Sequence, residues 1–154
     1  MPKIDMANAP ESRGSRYPQV YAGPCEARAW RRLGDAAGLK QFGVNLLTLE
    51  PGVWSSQRHW HALEDEFACV LSGEVVLIDD AGEHQLRAGD CAGFPAGDRN
   101  GHHFVNRSAQ DAVLLVVGSR IDADHGEYSD VDMKFLPGRY AGGAGFVRKD
   151  GTPY

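Results

Sequence analysis

The 154 residues match the length of one domain (~150 residues), large enough to bury roughly two thirds of the surface the unfolded chain exposes. Asp and Glu number 21 against 16 Lys and Arg, a net charge of −5. That balance argues against a nucleic-acid binder with a general basic surface and still permits a small basic pocket for an anionic metabolite. No run of ~18 apolar residues can form a transmembrane helix, and the polar, proline-bearing start, Met1 to Arg16, lacks the apolar stretch of a signal peptide. The sequence therefore predicts a cytoplasmic protein.

In chain order, residues 1–41 read as an extended N-terminal arm and flanking segment, with a short helical turn or two between Cys25 and Ala37. Residues 42–120 read as the core. The chain's 19 glycines, well above the ~7% average, punctuate short runs of apolar and β-branched residues, the pattern of an all-β sandwich or barrel. Strands are predicted over Phe42 to Glu50, Glu66 to Leu71, Glu74 to Ile78, His84 to Arg87, Cys91 to Phe94, His102 to Asn106 and Ala112 to Gly118. Val53 to His61 is an extended segment, and Asp79-Asp80-Ala81-Gly82 is a hairpin turn. Residues 121–154 form a polar tail that packs on the barrel or on a partner subunit. The glycine-rich stretch from Gly138 to Gly145 is a loop, and Phe146 to Tyr154 offers an edge strand.

Cys25, Cys69 and Cys91 are odd in number and none belongs to a Cys-x-x-Cys pair, so they read as three free, mostly buried thiols. There is no Gly-x-Ser-x-Gly elbow, no phosphate-binding Gly-Lys-Ser/Thr loop and no helix-turn-helix stretch.

The histidines carry the chemical signal. In an extended strand, residues i and i+2 point to one face, so His59 and His61 present two imidazoles side by side. The carboxylates that follow, Glu64, Asp65 and Glu66, compete to supply a third donor. If the strand after the turn at Ala62 to Asp65 pairs back, Glu66 reaches the same space, with Ala68 and Val70 leaving room beside it. His102 closes the set from a distant strand, and its neighbour His103 is the alternative from the opposite face. Three imidazole nitrogens and a carboxylate oxygen suit one divalent transition metal: Zn, Mn, Fe, Ni, Co or Cu.

These spacings resemble the double motif of the cupin superfamily. Its first motif runs Gly, five residues, His-x-His, three or four residues, Glu, six residues, Gly. Gly52, His59, His61, Glu66 and Gly73 follow it with one extra residue after Gly52. Its second motif runs Gly, five residues, Pro-x-Gly, two residues, His, three residues, Asn. Gly89, Pro95, Gly97, His102 and Asn106 follow it with a gap of four residues before the histidine. Counted from Gly97, the histidine position falls on Asn100; counted back from Asn106, it falls on His102, a far better ligand.

The resemblance spans Phe42 to Gly118. It implies a jelly-roll barrel (a double-stranded β-helix) with a metal inside one end on His59, His61, Glu66 and His102, usually in a homodimer. The chain is similar to small single-domain bacterial cupins, some labelled sugar-phosphate isomerases. A metal-dependent isomerase, epimerase or lyase for a small hydroxy-carbonyl or sugar-phosphate-like metabolite is the expected function, with an Fe(II)-dependent dioxygenase and a non-catalytic small-molecule-binding protein as alternatives. Glu64 and His103 are candidate proton carriers. Arg99, on the loop before His102, is a candidate for an anionic substrate because guanidinium binds carboxylate or phosphate bidentately. Trp54 and Trp60 have the opposite parity to the histidines and read as packing residues. Arg58 shares their face, and Asn106 reads as a structural residue. Tyr128, Asp132 and Lys134 are the tail residues able to fold over the pocket.

Overall fold

The computed structural model describes residues 3–142 and 145–154. Two antiparallel sheets enclose an apolar core. The larger has the strand order β1 (Glu11–Arg13), β2 (Ala29–Arg32), β3 (Phe42–Leu49), β9 (Ala112–Ser119), β4 (Glu66–Ser72), β7 (Cys91–Phe94). The second has the order β6 (Gly82–Arg87), β5 (Glu74–Asp79), β8 (His103–Val105). Alternation drives both. In β4, Glu66, Ala68 and Val70 face inward while Phe67 and Leu71 are exposed, and Leu47, Leu49, Val70 and Leu114 of the first sheet pack against Val75, Leu77, Leu86 and Phe104 of the second. The chain changes sheets between β4 and β5 at Gly73. Its φ is +74° and a Cβ would stand 2.6 Å from the Asp111 carbonyl, so only glycine fits.

The predicted core strands all form, within a residue or two of their expected ends, and the Asp79–Gly82 turn closes the β5–β6 hairpin. The first 41 residues differ from the prediction. Ala29–Arg32 is a strand, paired through Ala29↔Thr48 and Trp30↔Leu47, and the helical turn expected between Cys25 and Ala37 forms at Leu33–Ala36. A second four-residue helix lies at Gln19–Ala22. β1 pairs with β2, so this segment extends the large sheet. The thiols also differ in burial: Cys25 is buried, Cys69 half-buried and Cys91 exposed.

The segment 53–61 completes the second sheet beyond β8. Ser55 N–H donates to the Phe104 carbonyl, and His59 and His102 exchange backbone hydrogen bonds of 3.2 and 2.9 Å. On its other side it meets a small sheet of the tail, β10 (Gly126–Glu127), β11 (Lys134–Phe135) and β12 (Phe146–Val147). Trp60 N–H donates to Glu127 O and Ala62 N–H to His125 O. The approach is close: a Cβ on Gly126 would sit 2.0 Å from the Trp60 carbonyl. Tyr128, Met133 and Phe135 form a second core there, against Tyr17, Tyr21 and Phe146. Gly143 and Ala144 of the glycine-rich stretch lie outside the described residues. No described helix is long and apolar enough to cross a membrane.

Candidate metal centre

The backbone pairing of His59 with His102 is a hydrogen-bonded antiparallel pair, which places both side chains on one face of the sheet. Their ring centroids are 5.1 Å apart, and His61, two residues along the same strand, lies 5.0 Å from His59. From the opposite sheet Glu66 projects inward to meet them. One carboxylate oxygen, Glu66 Oε2, lies 3.0 Å from His102 Nε2, 3.4 Å from His61 Nε2 and 3.7 Å from His59 Nε2. The donor atoms of His59, His61 and Glu66 all lie within 4.8 Å of one another. Three Nε2 atoms thus converge on one oxygen across the gap between two sheets.

The surroundings fix which nitrogen is free. His59 Nδ1 lies 3.0 Å from the Gln57 carbonyl, and His61 Nδ1 lies 2.7 Å from Asp124 Oδ2. Both partners only accept, so each Nδ1 carries the hydrogen and each Nε2 presents its lone pair. Burial holds His59 well below the usual imidazole range, aided by the neighbouring imidazoles against the pull of Glu66. Burial also opposes charging of His61, but Glu66 and Asp124 outweigh it and raise its pKa. Glu66 is pushed up by burial and pulled down further by His61, the His102 hydrogen bond and His59. It therefore stays ionised far below the ordinary carboxylate range. A neutral, oriented imidazole beside a committed carboxylate is the chemistry a divalent transition metal requires, and these residues fit one. His102 is held differently: its ring stacks on Phe94 at 3.4 Å, and its buried Nδ1 has no hydrogen-bond partner among the described residues.

These four side chains line a cavity of about 480 Å³. Its walls also carry Tyr128, stacked on His59 at 5.6 Å, and a set of arginines that includes Arg28 and Arg139.

The chain matches the cupin domain family over residues 45–118. A sugar phosphate isomerase of the cupin superfamily from Silicibacter pomeroyi is 50% identical, over 99% of this chain and 96% of that one, with a TM-score of 0.94. This chain belongs to the cupin superfamily. A protein of Acidithiobacillus ferrooxidans, provisionally named a sugar phosphate isomerase, is 31% identical over 80% of this chain and 78% of that one, with a TM-score of 0.74. A predicted oxalate decarboxylase from Thermotoga maritima, 22% identical over 77% of this chain and 99% of that one, shares the fold at a TM-score of 0.62. No protein of curated function matches the sequence.

Within this cupin barrel the predicted residues divide. His59, His61, Glu66 and His102 come together on the cavity. Glu64, His103 and Arg99 do not line it. Glu64 lies behind His61, 3.8 Å from its Nδ1, and accepts hydrogen bonds from Ile121 N–H, Tyr140 Oη–H and Arg139. His103 is buried with Nδ1 2.9 Å from the Ser56 carbonyl and its ring edge-on to Trp54. Arg99 is exposed and covers Trp60, 5.2 Å from the ring centroid. Asn100 caps the Asp80 backbone, away from the histidines. Asn106 is fully buried and ties Leu49 O to Gln110 O. Of the tail residues, Tyr128 lines the cavity, whereas Lys134 and Asp132 bond to the backbone of Lys149.

Sequence reasoning missed Asp124 and Arg139. Asp124 anchors His61 and Leu63 N–H, and Arg139 clasps Asp124 at 3.0 Å and Glu64. Both sit on irregular segments, Asp124 63 residues from His61 and Arg139 75 residues from Glu64, where no short-range pattern marks them.

Proposed function

We propose that this cupin is a metal-dependent isomerase acting on a small hydroxy-carbonyl compound of the sugar-phosphate kind, with one divalent transition metal on His59, His61, Glu66 and His102. The convergence of three Nε2 atoms on the ionised Glu66 oxygen carries the reading. The names of the two similar structures support the reaction class. A metal held there would supply Lewis-acid polarisation of a substrate carbonyl.

The protein's own residues do the rest. Gln57 O and Asp124 hold the His59 and His61 rings in one tautomer, and Phe94 fixes the plane of His102. Glu66 contributes the negative charge that keeps the site selective for a cation. Burial pushes the phenols of Tyr17 and Tyr128 above their ordinary range. Both keep their protons at neutral pH and line the cavity wall. Glu64 acts at one remove, positioning Arg139 behind His61.

Metal analysis of protein purified without added metal tests the site, and deuterium exchange tests the reaction. The expected result is close to one Zn, Mn, Fe or Ni per chain, together with exchange of a C–H proton of an aldose or ketose phosphate in deuterated water. Folded protein that takes up no metal overturns the reading. So does an iron enzyme that consumes O₂ with its substrate and exchanges no proton.

A further inference from the structure

The cavity above the metal centre has an uneven charge. The chain is acidic overall, at −5, yet among the described residues five arginines line this cavity, Arg13, Arg16, Arg28, Arg32 and Arg139, against one carboxylate, Glu66. Two of the five are already neutralised. Arg13 pairs with Glu50 and Glu11, and Arg139 with Glu64 and Asp124. Arg16, Arg28 and Arg32 have no carboxylate within ion-pairing distance among the described residues. All three come from the N-terminal 32 residues, on β2 and the segments that flank β1 and β2.

Arg28 is fixed in advance. Nε donates to Gly14 O at 3.0 Å, Nη1 donates to Ser55 O, and its guanidinium lies 5.3 Å from the Tyr17 ring centroid and 5.9 Å from that of Trp30. These contacts use only part of its N–H fork. Arg32 spends one N–H on Ser12 Oγ. Arg16 spends none on another described residue. Uncompensated guanidinium groups around a small cavity raise the local potential and favour a compact anion with several acceptor oxygens. The enclosed volume suits a small molecule and excludes a polymer.

We propose that Arg16, Arg28 and Arg32 form a phosphate-binding subsite, which grips the phosphoryl end of the substrate while the metal centre faces its carbonyl end. The inference rests on the isomerase reading above and adds the residues that select the substrate. It assigns the N-terminal segment a role in recognition: without it the cavity loses all three unpaired arginines.

Isothermal titration of inorganic phosphate and, separately, acetate into the protein as isolated tests this. Phosphate binds the unmodified protein at least about tenfold more tightly than acetate. In the Arg16→Gln/Arg32→Gln double variant its affinity falls by about tenfold or more, the loss of one or more charge-assisted hydrogen bonds, while metal content is unchanged. In His61→Ala, phosphate affinity stays within about twofold. If the double variant misfolds, Arg16→Gln alone serves, because Arg16 holds nothing in the fold. Equal affinity for acetate, no effect of the arginine substitutions, or loss of phosphate binding in His61→Ala each overturns the proposal. Phosphate titration reads the arginines and metal content reads the histidines, so failure of the metal centre is seen separately.

Discussion

His61 stands between two clusters that are built from the same residue types and have opposite outcomes. On its Nε2 side are His59, Glu66 and His102; on its Nδ1 side are Glu64 and Asp124. His61 shares a 4.8 Å cluster of potential ligand atoms with His59 and Glu66 in front and another with Glu64 and Asp124 behind. The difference is what already occupies them. Behind His61, Arg139 supplies a permanent cation to both carboxylates, and Tyr140 Oη and the backbone N–H groups of Ile121 and Leu63 supply the remaining hydrogen bonds. In front of it, no arginine or lysine among the described residues pairs with Glu66; His102 Nε2 is hydrogen-bonded to its Oε2 at 3.0 Å, and the Nε2 atoms of His61 and His59 lie 3.4 and 3.7 Å from the same oxygen. A cluster whose charges are balanced by side chains is structural. The cluster whose donors converge without such a side-chain cation is where we place the metal.

The largest test removes the residue both clusters share. His61→Ala is expected to lower metal retention by more than the ~10–100-fold that loss of an outer-shell partner costs, read as metal per chain after dialysis. His84→Ala is the control. That imidazole is exposed and paired with Asp79, and its metal content should match the unmodified protein. Equal metal in all three proteins defeats the front-side assignment.

The next test separates the two clusters. Arg139→Ala leaves Glu64, 4% exposed, and Asp124, fully buried, without their cation. Stranding buried carboxylates in this way should cost about 3 kcal/mol in urea unfolding, at the low end for broken buried pairs because Arg139 is itself partly exposed. Metal content at neutral pH should survive, since Asp124 still bonds His61 Nδ1. A variant with full stability and no metal would show that Arg139 serves the front side instead.

The contrast also explains what the sequence could disclose. His59 and His61 announce themselves because strand parity is a local rule, whereas Glu66 is singled out from Glu64 and Asp65 by the spacing of the cupin motif. His102 was fixed by its spacing to Asn106, a residue that is buried and binds backbone as expected. Asp124 and Arg139 obey no such rule: their chain neighbours are turns, and the docking of His125 and β10 against Ala62 and Trp60 brings Asp124 to His61. β2 lies unmarked within the segment Cys25 to Ala37, expected to hold a helical turn or two, for a related reason. Ala29-Trp30-Arg31-Arg32 has little apolar alternation of its own, and becomes a strand through pairing with β3 on one side and β1 on the other. Arg99 was the arginine nearest His102 in sequence, but its loop turns the side chain outward onto Trp60.

The smallest effect concerns the clasp on the outer side of the histidine strand. Arg58, next to His59, donates from Nε and Nη2 to the two oxygens of Asp130 at 2.9 and 2.8 Å, and from Nη1 to Asp80 at 2.6 Å. The Arg58 hydrogen bonds hold the Asp130 carboxyl below its ordinary range against a modest opposing effect of burial. A carboxyl depressed in the folded state contributes stability that is present above its unfolded pKa, ~3.9, and is lost as pH falls through the lower folded value. Asp130→Asn removes that increment at every pH. Its urea midpoint should lie slightly below that of the unmodified protein at about pH 7, and the two should converge as the pH approaches about 2. Metal content stays unchanged, because Asp80 and Gly101 O still hold Arg58. A gap that persists in acid would show that Asp130 stabilises the strand by packing, and the clasp would then owe nothing to charge.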